Sequence, residues 1–261
     1  MMIGDFKLEG ESKNVKTIEK AFKILMLFDW NHKELTLTEI AKNMNMAKST
    51  ASRLLNTIVD MGFLCKDEIN NKYYLGGRIY YLGQVAKENV DIRKICRPYL
   101  ERLTNLTMET SHVYEFREWE RICIDQVISP QPIKQSVKVG STEPIWYGAS
   151  GKAILAFMDY TVWEKAAKLC YPQGTDKEIK EYVENLQVVR EQGYALRDNV
   201  QNDTVGCIAA PIFGVRGEVV ASIAISTPGF RFPKDYGQYV EYVCQAAKRI
   251  SSELGFVSES K

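Results

Sequence analysis

Residues 36–75 constrain the fold most, because four periodic segments follow one another there with only short interruptions. Thr36-Leu-Thr-Glu39 places a hydroxyl at an N-cap position and a carboxylate three residues on, ahead of Ile40, Ala41 and Met44. That is a capping box opening a short helix. Asn45 and Met46 break the pattern. Residues 47–60 then form a second helical window, with Ala51, Leu54, Leu55 and Ile58 on its inner side and Lys48, Ser49, Ser52, Arg53 and Asn56 outside. Gly62 can cap it, and residues 63–66 and 72–75 read as two strands around the polar tip Asp67-Glu-Ile-Asn-Asn71. Upstream, Ile18, Ala21, Phe22, Leu25, Leu27 and Phe28 recur at helical spacing over residues 17–30, with Thr17 as the expected cap. Helix, helix, turn, helix and hairpin is the order of a winged helix-turn-helix, which can form its own small core.

From residue 40 to residue 59 the basic side chains Lys42, Lys48 and Arg53 are met by no acid. A cationic, acid-free face suits a polyanion. A helix of this kind fits the DNA major groove, so Lys48, Ser49, Thr50, Ser52, Arg53 and Asn56 are the candidate contacts. Arg53 is the candidate for reading guanine, whereas Lys48 serves the phosphate backbone. Asn70, Asn71 and Lys72 at the hairpin tip can reach an adjacent groove or strand. One module makes few phosphate contacts, so useful affinity calls for two copies on a palindromic site.

Residues 78–96 read as a linker helix ending before Pro98, followed by a helix over 99–106. Alternation then marks strands at residues 112–116, 122–128, 135–139, 207–213 and 219–226, with helical windows at 151–157, 162–170, 177–192 and 233–254. Gly214-Val-Arg-Gly217 reads as a hairpin turn. The whole is expected to be α+β: a winged helix-turn-helix at 1–77, a linker helix at 78–97, and an α/β domain with a mainly antiparallel sheet at 98–261.

Composition narrows the class of protein. A chain of 261 residues that is 45% hydrophobic can bury two cores, and 26% charged residues exclude a disordered or low-complexity protein. The amino terminus lacks an apolar segment of signal-peptide length, and no window approaches 18 apolar residues, so neither secretion nor a membrane is expected. Six cysteines without a C-x-x-C pair are expected as free thiols in a reducing cytoplasm. With only His32 and His112, neither beside a second ligand, no metal or other cofactor is expected.

The chain resembles the IclR family of bacterial transcription regulators. The resemblance rests on residues 16–25 (KTIEKAFKIL), 37–41 (LTEIA), 47–50 (AKST) with 53–55 (RLL), Gly62-Phe63 and 73–76 (YYLG). It continues through Val139-Gly140, Pro144, 149–153 (ASGKA), Leu155-Ala156, Val189-Arg190, Gly193-Tyr194, 206–211 (GCIAAP), Ile250-Ser251 and Leu254-Gly255. Membership implies a DNA-binding regulator, commonly a repressor, that works as a homodimer or homotetramer on a double-stranded operator. It also implies a GAF-like effector-binding domain whose small-molecule ligand, often a carboxylate, alters that binding. Carried over by position, the effector site comprises Ala149, Ser150, Asp198, Cys207 and Ser226. Gly148 and Gly151 would let backbone amides approach a ligand, and a helix starting near Gly151 would favour an anion. The chain departs from its relatives at Ala47, where proline is common, and over residues 197–203, where relatives tend to carry glutamates but Asn199, Gln201 and Asn202 are uncharged and Arg197 adds a cation. A less negative rim suits an anionic effector.

Two other readings compete. A hydrolase-like enzyme would use Ser150 and Lys152, although residues 148–152 (GASGK) lack the spacing of a phosphate loop and Ser150 has no evident orienting group. Alternatively the carboxy-terminal half only dimerises, in which case no small molecule would shift its stability.

Overall fold

The computed structural model describes residues 15–197 and 205–257, in two compact units, Met1–Val90 and Asp91–Lys261. The first unit contains α1 (Lys16–Leu25), β1 (Glu34–Thr36), α2 (Leu37–Asn43), α3 (Lys48–Asp60), β2 (Leu64–Lys66), β3 (Lys72–Leu75) and α4 (Gly77–Asn89). Ile24, Ile40, Leu55, Ile58 and Leu64 form its core with Leu35 and Tyr73, which face each other across the β1–β3 pair. β1 was not expected: three residues are too few to show alternation, and only pairing with β3 makes them a strand. The capping box at the start of α2 is present. Glu39 N donates to Thr36 Oγ1 at 3.3 Å and Thr36 N to Glu39 Oε2 at 2.8 Å.

Two expectations about helix ends change. α1 starts after Val15 instead of being capped by Thr17, and it stops at Leu25 instead of reaching residue 30. Asp29 Oδ1 accepts the amides of Asn31 and His32, at 2.8 and 2.6 Å, drawing the chain into a local turn. The single helix expected over 78–96 is two. α4 ends with Val90 extended, and Asp91 Oδ1 accepts from Arg93 N at 3.0 Å to cap α5 (Ile92–Thr107). α5 runs on through Pro98, where a break was expected. The ring removes one helical hydrogen bond, but Cys96, Leu100 and Leu103 on either side are buried in one apolar cluster, which outweighs that loss.

The second unit continues with β4 (Thr110–Arg117), β5 (Glu120–Val127), β6 (Thr142–Pro144), α6 (Gly148–Leu155), α7 (Tyr160–Cys170), α8 (Asp176–Gln192), β7 (Ala195–Arg197), β8 (Val205–Phe213), β9 (Val219–Pro228) and α9 (Gly237–Glu253). Its sheet runs β6-β5-β4-β9-β8-β7, antiparallel at every pairing. Strand alternation divides the two faces. Val113, Ile208, Ile212, Ile223 and Ile225 pack against α5 and α9, whereas Cys207, Ala209 and Ala224 lie under α6, α7 and α8. The strand expected at 135–139 is irregular. Its backbone is held by side chains: Gln126 Nε2 donates to Val137 O, Val137 N to Gln126 Oε1 at 3.2 Å, and Thr110 Oγ1 to Gln135 O.

Replacing Thr36 by alanine removes the Oγ1 that accepts from Glu39 N and donates to Glu39 Oε2, leaving only the backbone bond from residue 36 to Glu39. It should destabilise α2 by about 0.5–2 kcal/mol, read as faster amide hydrogen exchange in α2 with no change at α9.

Candidate functional site

The first candidate surface is the outer side of α3. Lys48, Ser49, Thr50, Arg53 and Asn56 are exposed and Ser52 is half-buried, opposite the buried Ala51, Leu55 and Ile58. The N-cap residue Ala47 supplies no side-chain cap and the first turn holds no acid, so its amides remain outward-facing donors. An open groove lined by Thr38, Lys42, Asn45 and Lys48 runs beside that end. Asn45 turns the chain there with φ 46°.

The hairpin is braced but not strongly cationic at its tip. Asp67 Oδ1 accepts from Ile69 N at 2.8 Å, Asn70 Oδ1 accepts from Lys72 N at 2.9 Å, and Asn71 is left-handed with φ 55°. Lys72 Nζ lies 3.4 Å from Glu34 Oε2 on β1, so its charge is shared. Asp67 and Glu68 sit at the tip itself, leaving Asn71 and Lys72 on its flank.

The second candidate lies between the sheet and α6. Ala149, Ser150, Cys207 and Ser226 are all buried there, while Asp198 lies outside the described residues. Cys207 and Ser226 are cross-strand partners, and the Cys207 thiol lies near the Ser226 and Ser150 hydroxyls. Burial raises its pKa against the pull of those hydroxyls and of the Arg121 charge, so it remains a thiol. His112 Nε2 shares a 2.6 Å hydrogen bond with Ser226 Oγ, extending the chain of polar groups to β4. Burial, helped by the Arg121 charge, lowers the His112 pKa from 6.5 to about 3. The ring is therefore neutral at physiological pH, and its Nδ1 has no hydrogen-bond partner.

Arg121 escaped the sequence reading. It comes from β5, is buried, lies 4.3 Å over the Tyr114 ring and pairs with Glu143. The available signal was its phase: Arg121 alternates with the buried Cys123, which places a charge on an inward face. α6 begins at Gly148, three residues before the expected start, with φ 74° at that glycine. A Cβ on Gly148 would stand 3.3 Å from Arg121 Nη2, and one on Gly151 only 1.9 Å from the Ile145 carbonyl oxygen. Gly151 thus serves close packing instead of the ligand approach expected of it. Arg197 Nη2 donates to the Tyr147 hydroxyl at 3.1 Å beside the same helix start.

The family model of the bacterial transcriptional regulator IclR C-terminal domain matches residues 84–252, and that of the IclR helix-turn-helix domain matches residues 17–68. The chain belongs to the IclR family of transcriptional regulators. Like its relatives it is a DNA-binding regulator and not an enzyme. This IclR-family chain is 30% identical over 254 residues to the HTH-type transcriptional regulator KdgR of Escherichia coli (strain K12), covering 95% of this chain and 96% of that one. It is 29% identical to KipR of Bacillus subtilis (strain 168), covering 94% and 99%. The fold is that of Pseudomonas aeruginosa HmgR, with a TM-score of 0.79 at 21% identity over 93% of this chain and 99% of that one. Agobacterium tumefaciens BlcR gives a TM-score of 0.75 at 21% identity, over 95% and 100%.

The geometry of this IclR regulator separates the pair on which an enzyme reading rested. Ser150 and Lys152 are two apart on α6 and leave it on opposite sides. Ser150 meets Cys207 of β8, while Lys152 Nζ donates to Asn185 Oδ1 of α8 at 2.8 Å. Among the described residues no three His, Cys, Asp or Glu side chains are placed to hold a metal, and no helix is long and apolar enough to cross a membrane.

His112 makes stability depend on pH. Its folded pKa lies below the unfolded value, so its contribution is complete above pH 6.5 and is lost as pH falls toward 3. Unfolding of the second unit should take up about half a proton through this residue at pH 6.5 and close to one at pH 5. His112→Asn should remove that uptake, as read from denaturant unfolding at several pH values.

Proposed function

We propose that this regulator is a repressor that binds a palindromic operator as a homodimer or homotetramer and is released or retained by a small carboxylate effector. The observation carrying the DNA part is the outer side of α3, a helix with two cations, no acid before its last residue Asp60 and an uncapped amino terminus. In this reading Arg53 reads a base edge, Ser49, Thr50, Ser52 and Asn56 line the groove, and Lys48 holds a phosphate with the first-turn amides. Asn71 and Lys72 touch the duplex from the flank of the hairpin. Repression is supported by the transcriptional repressor AllR of Salmonella typhi, 26% identical over 252 residues, which is named for that activity.

The effector reading places the ligand at Ala149, Ser150, Cys207 and Ser226, with Asp198, which lies outside the described residues, as its fifth candidate. Buried hydroxyls, a thiol and an uncapped helix start face one another there, a set that orients a small acid better than an apolar molecule. The working division is residues 1–77 for DNA, 78–97 as linker and 98–261 for effector binding and assembly, acting in the cytoplasm. Effector and operator then oppose or favour each other by the same factor in both directions.

Binding of the full chain to DNA upstream of its own gene, followed by fluorescence anisotropy, tests the assignment. Arg53→Ala should lower discrimination between specific and random DNA by roughly 1–3 kcal/mol, and Lys48→Ala should weaken binding to both and flatten the salt dependence. Parent-like behaviour of both variants would remove α3 as the reading helix.

A further inference from the structure

The effector reading leaves Arg121 without a role, although a buried guanidinium beside a helix start is the strongest cationic feature of that region. Its side chain is only 6% exposed, and its ion-pair partner among the described residues, Glu143, is 39% exposed. Its Nε is buried with no acceptor. The guanidinium offers five donors, more than Glu143 fills, and Gly148 leaves room for Nη2 against the first turn of α6. That turn adds uncapped amides with no acid among them. Arg197, stacked 5.0 Å over the Tyr147 ring, adds a second cation beside the same end.

We propose that Arg121 reads the acid group of the effector, and that Glu143 occupies its guanidinium in the empty protein and gives way when the effector carboxylate arrives. This rests on the effector reading above. Glu143 is suited to leaving: β6 is a three-residue edge strand, paired only with β5. An incoming carboxylate can accept two parallel bonds from the guanidinium and further bonds from the α6 amides, a geometry unavailable to a neutral amide or ester. The exchange also carries a signal. β6 leads directly into Ile145, whose carbonyl lies against Gly151, so releasing Glu143 removes the side-chain tie of a strand that holds the first turn of α6 and leaves it its backbone pairing to β5. The neutral His112 and the Ser226 hydroxyl remain to orient the rest of the molecule.

The test is isothermal titration of the full chain with pyruvate, D-gluconate and benzoate, each beside its neutral amide, for the parent, Arg121→Gln, Arg121→Lys and Glu143→Gln. Losing a charged hydrogen-bond donor corresponds to at least about tenfold in affinity. The acid that binds the parent should therefore bind Arg121→Gln at least about tenfold more weakly, Arg121→Lys at an intermediate level, and Glu143→Gln more tightly. Should Arg121→Gln unfold, Glu143→Gln decides alone, since Glu143 lies at the surface. Equal affinity for the parent and the variants overturns the role of Arg121 and leaves the effector site standing. Weaker binding to Glu143→Gln overturns the exchange. If no acid binds the parent, or each amide binds as well as its acid, the carboxylate reading falls and this inference with it.

Discussion

The second unit depends on how closely α6 approaches the sheet. Gly151 has no side chain because the Ile145 carbonyl occupies the space a Cβ would need, and Cys207, Ala209 and Ala224 beneath are all small. The opposite face of the same strands carries Ile208, Ile212, Ile223 and Ile225 and is filled by α5 and α9. Both faces bury an apolar cluster, but the small strand residues under α6 leave space for polar groups near a helix start. Buried polar groups are costly unless hydrogen-bonded. The His112–Ser226 hydrogen bond meets that demand in part, with the Cys207 thiol and the Ser150 hydroxyl nearby, and among the described residues the His112 Nδ1, Arg121 Nε, Ser141 Oγ and Ser222 Oγ atoms are left unsatisfied.

The first unit solves a different problem. Its core is small, so local devices matter: the Thr36–Glu39 capping box, the Asx turn at Asp29, and the three-stranded sheet closed by the Leu35–Tyr73 pair. These fix α2 and α3 against each other and leave the outer side of α3 without an internal partner surface. A helix presented this way is preorganised for a groove, with its first-turn amides already facing outward.

Much of this was legible in the sequence where a local rule had no competitor. The capping box, the phase of α3, the β8–β9 hairpin at Gly214–Gly217 and the alternation in β4, β5, β8 and β9 all appear as read. The Asp29 turn and the Asp91 cap are local, but in the other misreadings a distant partner decided the outcome. β1, β6 and β7 are three residues each and become strands only through β3, β5 and β8. Residues 135–139 alternate like a strand, yet Gln126 and Thr110 take their backbone groups. Pro98 sits inside α5 because the residues around it are buried together.

The sequence by itself determined the element types of the long segments, the two-unit organisation and the acid-free face of α3, since helix and strand periods and charge run along the chain. The tertiary structure alone decided that Arg121, Glu143, His112 and Ser226, drawn from four separate strands, meet beside the start of α6. Burial, the state of the His112 ring and the pairing of Arg121 are properties of that meeting. They arise from the desolvation and neighbouring charge that folding imposes, which no spacing along a single strand encodes.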